Sequence, residues 1–294
     1  VTQGIYCIPI WIQTACIWEC LSRKVGNVHP GADFSDQAAV DYLVSAACLA
    51  PVFADRAAAK EVGHLLSCGV GATQRYVGKN TNLGIGLLLA PLGGVPHHLQ
   101  FREGLRLVLE RLTINDAWRA YNVIRLVNPG GLGDAPEQDV RHEPTVTLLE
   151  AMRLAADRDM VARQYANGFA DVFDFGTPAF LDAFARFGCV EAAIIDSQLR
   201  WLAEYPDSLI ARKNGPAVAE DVRRRAAEVL RLGGIATPEG RRAGVALDRH
   251  LRSDGNKLNP GTTADLITAC LFVALRENKV VPSAPFRWQA EDWL

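Results

Sequence analysis

Three polar, glycine-bearing turns carry residue types that could handle a polyanion. They are Lys24-Val25-Gly26-Asn27-Val28-His29-Pro30-Gly31-Ala32-Asp33, Gly78-Lys79-Asn80-Thr81-Asn82-Leu83-Gly84 and Asn259-Pro260-Gly261-Thr262-Thr263-Ala264-Asp265. Each leads toward an expected helix. A helix start presents unpaired backbone N–H groups and the positive end of the helix dipole, so it attracts phosphate. Asn, Thr and Asp also cap ordinary helices, so one such turn decides nothing. Three of them, with Lys24, Lys79, Asp33 and Asp265 among their residues, point to a polyphosphate and its metal.

In the first turn Lys24 can neutralise phosphate, His29 and Asp33 offer a base or a metal ligand, and Gly26 and Gly31 allow close backbone approach. The competing reading is a glycine-rich loop in which Asp33 merely caps. In the second, Lys79 stands beside a helix start where Asn80, Thr81 and Asn82 offer side-chain hydrogen bonds. It is not a P-loop, because Thr73 and Asn80 stand where that motif needs Gly and Ser or Thr, and no strand precedes it. Glu150 and Asp157 are seven residues apart, which on one helix puts them on a shared face about 10 Å apart. Such charges usually form a solvated face, but Leu149, Met152 and Ala156 around Glu150 suggest partial burial, and a buried carboxylate must be paired or used. Asp171 and Asp174 lie among aromatics, Arg212-Lys213 forms a basic pair, and His97-His98 reads as a surface pair. A Gly-x-Ser-x-Gly elbow and a Rossmann glycine fingerprint are both missing.

The elements that must position these residues are helical nearly throughout. Leu105, Val108, Leu109 and Leu112 recur at helical spacing, and period-2 alternation is scarce. Helices are expected from Ser35 or Asp36 to about Ala50, over 55–67, from Thr81, from about Asn115 and from Pro144. Further ones are expected from Thr177-Pro178 to Gly188 and over 190–204, 217–232, 238–251 and 263–275. The longest loop runs from Asn128 through Pro129-Gly130-Gly131-Leu132-Gly133 to about Glu143. The expectation is an all-α chain, a compact multi-helix bundle of about a dozen helices forming one domain over 1–294.

With 49% hydrophobic residues the 294-residue chain can bury a sizeable core. Its 31 basic and 33 acidic residues give a net charge of −2, which argues against nucleic acid as a partner. The apolar stretch 5–21 contains Pro9, Gln13, Thr14 and Glu19 and no basic leader, so a buried helix is expected rather than a membrane span. Val at position 1 suggests that the native start lies upstream. Seven scattered cysteines without a zinc pattern read as small buried residues in a reducing compartment, which places the chain in the cytoplasm.

At the three turns the sequence resembles the triphosphoribosyl-dephospho-CoA synthase family, whose members make the prosthetic-group precursor of citrate lyase and malonate decarboxylase. The matching pieces are Lys24–His29, Asn80–Gly84, Pro260–Leu266, and between them Thr147-Leu148-Leu149-Glu150-Ala151-Met152 with Asp157. The resemblance implies an all-α, Mg²⁺-using transferase. Such an enzyme joins ATP through ribose C1 to the 2′-hydroxyl of dephospho-CoA, expels adenine and keeps the triphosphate. It further implies that Lys24, Gly26, Asn27, His29, Lys79, Asn80, Thr81, Asn82, Gly261, Thr262 and Thr263 hold phosphates. Asp33, Glu150, Asp157 and Asp265 would bind metal or supply the base. Val25 replaces the proline usual in the family's first motif, and the chain looks similar to a divergent branch found beside one-carbon cofactor genes. Alternatives are therefore MgATP-dependent phosphoryl, nucleotidyl or ribosyl transfer to another small molecule, such as a methanopterin or methanofuran intermediate. An N-glycosidic hydrolase and a non-enzymatic nucleotide-binding protein are further options. The apolar helices permit a homodimer.

Overall fold

The computed structural model describes residues 7–54 and 61–294, and among these described residues apolar positions at helical spacing, separated by Gly, Pro and Asn, form fourteen α-helices. In chain order they are α1 Cys7–Leu21, α2 Ala39–Leu49, α3 Val62–Tyr76, α4 Leu83–Gly93, α5 Phe101–Glu110, α6 Ile114–Val127 and α7 Leu148–Ala155. They continue with α8 Met160–Ala166, α9 Thr177–Phe187, α10 Val190–Glu204, α11 Ser208–Asn214, α12 Pro216–Arg231, α13 Pro238–Leu251 and α14 Gly261–Arg276. Among the described residues there is no strand, only an isolated bridge between His29 and Ala32. The chain is all-α.

The centre is α14. From Leu266 to Leu275 its side chains are almost wholly buried, and it packs on α1, α4, α9 and α10. A helix apolar on every side must be enclosed on every side, and each fully buried Leu, Ile or Phe contributes about 1.5–3 kcal/mol. A second apolar cluster lies on the far face of α10, where Leu199 and Leu202 meet Val222 and Val229 of α12, Leu247 of α13 and Trp293. The rigid core thus fixes the first turn of α14, and with it Asp265, against the starts of its neighbours. Among the described residues no helix is long and apolar enough to cross a membrane.

Several boundaries differ from the sequence expectation, each for a local reason. Neither Ser35 nor Asp36 caps α2: the Asp33 carboxylate accepts from Ala39 N at 2.8 Å and Asp41 accepts from Ala38 N at 2.8 Å, which delays the start to Ala39. The helix expected over 55–67 begins at Val62, with 55–60 outside the described residues. The helix expected from Pro144 begins at Leu148, because Thr147 and Glu150 close a reciprocal cap there. Since α7 ends at Ala155, Glu150 and Asp157 do not share a helix. Thr177-Pro178 does open α9, and Gly188 stops it in a left-handed conformation.

Candidate active site

The three polar turns converge. Asn27 and Val28 from the first, Asn80–Gly84 from the second, and Asn259, Gly261, Thr262, Ala264 and Asp265 from the third line one cavity of about 730 Å³. Its remaining walls come from Glu19 of α1, Tyr42 of α2, Tyr121 and Ile124 of α6, and α7. The start of α8 at Arg158 and Asp159, α11 at Arg212 and Lys213, and the long loop 128–140 complete it.

The first turn is held from behind. Gln198 of α10 bonds both backbone groups of Val25 and donates to Asn27 Oδ1 at 2.7 Å; Asn27 Nδ2 in turn donates to Asn259 Oδ1 at 2.6 Å. Gly26 has φ +69° and sends its N–H to Asp248 Oδ1 at 2.8 Å, in a space where a Cβ would lie 2.7 Å from Leu251. The third turn is fixed by buried Asp207. Its Oδ1 caps Leu209 N and Ile210 N of α11, and its Oδ2 accepts from Thr263 N and Oγ1, both at 2.8 Å. In the second turn Asn80 Oδ1 accepts from Leu83 N, Thr81 Oγ1 meets Ser45 Oγ at 2.5 Å, and Asn82 Nδ2 donates to Thr73. Asn82 Oδ1 is buried without a partner.

Asp265 is the chemically distinctive group. Its carboxylate lies against the first turn of α4, so close that a Cβ on Gly84 would be 2.0 Å from Oδ2. Among the described residues nothing donates a hydrogen bond to it and no cation pairs with it. It is enclosed by protein while open to the cavity interior. Burial, then the Glu19, Asp207 and Asp159 carboxylates, hold its pKa well above the usual carboxylate range, with Arg212 acting in the opposite sense. The Tyr42 hydroxyl, which donates to Gln37 Oε1 at 2.7 Å, feels burial first and then Glu19 and Asp265, and is likewise pushed up. Glu19 and Asp159 have cations of their own, Lys24 and Arg212, whereas Asp265 has none among the described residues, and a carboxylate so placed calls for a cation or a proton.

Several residues expected at the site stand elsewhere. Lys24 is wholly buried; its ammonium pairs with Glu19 Oε1 at 3.0 Å and bonds the Glu19 carbonyl, so it braces α1 rather than facing the cavity. His29 is also behind the wall, accepting from Gly31 N through Nδ1. Burial, with the Lys24, Arg252 and Arg23 charges, lowers its pKa to about 3, so it is neutral. Asp33 is exposed and occupied with Ala39 N, and Thr263 is occupied with Asp207. Lys79 pairs with Asp41 at 2.6 Å, outside the lining. Glu150 is exposed, contrary to the expected partial burial, because its carboxylate caps Thr147 N and Oγ1 at 2.8 Å each. Asp157 is exposed, and its place on the cavity wall is taken by Asp159 two residues on. The sequence reading missed Glu19, although it is the sole charge in an otherwise uncharged apolar helix. It also missed Asp159, which caps α8 through Val161 N and Ala162 N and pairs with Arg212.

Among the described residues no three His, Cys, Asp or Glu side chains form a closed metal cage. Glu19 and Asp265 still present hard oxygens to the cavity. Mg²⁺ usually takes one or two carboxylates together with substrate phosphates rather than a dedicated protein cage, so this donor set fits a metal that arrives with a nucleotide.

Polar helix starts, carboxylates and cations thus surround one large cavity of an all-α chain. The family model for ATP:dephospho-CoA triphosphoribosyl transferase matches residues 7–283, and the chain belongs to that family. It is 35% identical over 113 residues to a Pseudomonas putida protein bearing the name 2-(5''-triphosphoribosyl)-3'-dephosphocoenzyme-A synthase, covering 38% of this chain and 40% of the relative. A Pseudomonas savastanoi pv. phaseolicola protein of the same name is 34% identical over 115 residues, 39% of each chain. The matched segment thus spans about two fifths of these curated relatives. An Archaeoglobus fulgidus structure described as a triphosphoribosyl-dephospho-CoA synthase aligns with TM-score 0.63 and 27% identity, over 80% of this chain and 98% of that one.

Proposed function

We propose that this chain transfers the triphosphoribosyl group of MgATP to the 2′-hydroxyl of 3′-dephospho-CoA and releases adenine. Family membership supports this reaction, and the observation that carries the site is that all three turns line one cavity together with Asp265. In the reaction the C1–N9 bond of ATP breaks and a C1–O bond forms to the acceptor. The hydroxyl proton ends on the departing adenine, and the triphosphate stays on the ribose 5-carbon.

Each part of the cavity has a task in this scheme. The starts of α4 and α14, with Asn80–Asn82 and Gly261–Thr262, line the space for the triphosphate. Glu19 would hold Mg²⁺ together with phosphate oxygens, and the metal when bound would neutralise phosphate charge and fix the nucleotide's orientation. Asp265, with its raised proton affinity, takes the hydroxyl proton and stabilises positive charge developing at the ribose, as carboxylates do beside an oxocarbenium-like centre. The free thiols of Cys16, Cys20, Cys48, Cys68, Cys189 and Cys270 suit a reducing compartment, and we place the reaction in the cytoplasm.

The test is adenine release by the purified protein with MgATP, alone and with dephospho-CoA, followed by mass spectrometry of the product. Acceptor-dependent adenine and a product retaining three phosphates are expected. ATP binding without adenine release would move the function to another bond or acceptor.

A further inference from the structure

The cavity has two chemically opposite sides. The α1–α4 side carries Glu19, Tyr42 and Asp265, a surface that receives phosphate only with a metal between. The α11 side carries Arg158, Arg212 and Lys213. Arg212 is paired with Asp159, but among the described residues neither Arg158 nor Lys213 has a carboxylate within ion-pair distance. Lys213 Nζ reaches only the Asn256 carbonyl, at 3.4 Å, and Arg158 only the Leu154 carbonyl, at 3.0 Å. Burial pulls the Lys213 ammonium below the ordinary lysine value; Asp36 and Asp207 act against that and Arg212 with it.

A glycine strap lies directly over Lys213 and Arg212. A Cβ on Gly130 would be 3.3 Å from Lys213 Cε, and one on Gly131, where φ is +74°, would be 3.0 Å from the Arg212 backbone. The acids of the strap are partly spoken for, since Arg141 pairs with both Asp134 and Asp139, while Glu137 also lines the cavity. Next to the strap the wall turns apolar: Ile124, Leu148, Met152, Leu154 and Ala155 continue it without a charge as far as Arg158. Two unpaired cations beside an uncharged trough fit one kind of ligand, a diphosphate ester with a long uncharged arm.

We propose that Lys213, under the Gly130-Gly131 strap, and Arg158 on the same cavity wall form a metal-independent diphosphate subsite for the acceptor, with the apolar wall of α6 and α7 taking its arm. This rests on the reading above, in which dephospho-CoA supplies both the diphosphate and the arm. The subsite is separate from the metal-dependent side that takes the triphosphate. It makes Lys213 and Arg158 specificity residues for the acceptor.

Calorimetric titration of dephospho-CoA in EDTA tests this on the full chain, comparing wild type with Lys213→Met, Arg158→Gln and Gly131→Ala. Lys213→Met and Arg158→Gln should each weaken dephospho-CoA about tenfold, the loss of one charge-assisted contact. Pantetheine, which lacks the diphosphate, should bind all forms alike, and MgATP affinity should change less than threefold. Gly131→Ala, which must lift the strap, should weaken dephospho-CoA as well. Loss of MgATP affinity with dephospho-CoA untouched would overturn the inference and give the basic side to the triphosphate. ADP-ribose, a diphosphate ester without the arm, separates the two readings. If wild type binds it in a Lys213-dependent way but not dephospho-CoA, the subsite stands and the acceptor falls. Binding of neither in EDTA overturns the subsite, while adenine release judges the reaction independently.

Discussion

Gly84→Ala is the sharpest test of the site, because it separates the position of one carboxylate from the stability of the fold. Gly84 is the second residue of α4 and carries no positive φ, so its backbone accepts alanine. Alanine there gains up to about 1 kcal/mol of helix propensity. The new Cβ, however, would lie 2.0 Å from Asp265 Oδ2 and 2.5 Å from its Cγ, whereas ordinary contacts begin at 3.4 Å. The carboxylate must therefore retreat by about 1.4 Å. It can do so at little cost, since the cavity lies beside it. The fold should survive and the geometry should not. Displacing a reacting group by about 1 Å costs on the order of 10²-fold in rate, roughly 2.7 kcal/mol of barrier. The expected result is a kcat/KM for adenine release lowered about 100-fold, with a Tm equal to or above wild type. Gly71→Ala on α3, whose Cβ meets nothing within 4 Å, is the control and should keep full activity. Wild-type turnover in Gly84→Ala would refute Asp265 as the group at the reacting centre.

The remaining expectations follow from individual side chains. Asp265→Asn should abolish adenine release, and wild-type kcat/KM should rise with pH as Asp265 ionises through its raised pKa, read from a pH–rate profile. Its folded pKa lies above the ordinary 3.8, so the proton it holds stabilises the fold at low pH and that stabilisation fades as pH rises through the folded value. Asp265→Asn should accordingly be the more stable form at neutral pH in urea melts, with the gap closing below pH 4. Lys24→Met leaves Glu19 buried without its cation and should cost about 3–5 kcal/mol in chemical denaturation. His29 runs the other way. Its folded pKa, about 3, lies below the ordinary 6.5, so stability is lost as pH falls from about 6.5 toward 3, and His29→Gln should show a smaller loss between pH 7 and 5. Glu150→Ala should cost about 1 kcal/mol as a lost cap while kcat stays within twofold, since its carboxylate faces Thr147 and not the cavity; a 100-fold fall in kcat would put it back at the site.

What was legible in the sequence follows from what local chemistry encodes. Helical spacing, Thr177-Pro178 and Gly188 state where a helix begins or ends within a few residues, so the all-α fold could be read directly. The turns around Asn80–Asn82 and Gly261–Thr262 were readable for the same reason, because polar side chains beside a helix start serve its N–H groups wherever they occur. A charge is different, since its role depends on which partner reaches it first. Lys24 looked like a phosphate contact until Glu19, five residues earlier, claimed it inside the core. Asp33 and Glu150 looked like ligands, but each had a backbone N–H within a few residues to satisfy. Asp265 remains uncommitted because its carboxylate packs on the glycine of another helix, 181 positions away in the chain, and the neighbouring carboxylates of Glu19, Asp207 and Asp159 repel rather than pair with it, while Arg212 is held by Asp159. That lack of a local partner separates a carboxylate available for chemistry from one spent on the fold. It also explains the smallness of residue 84: any Cβ there would occupy the space the carboxylate needs.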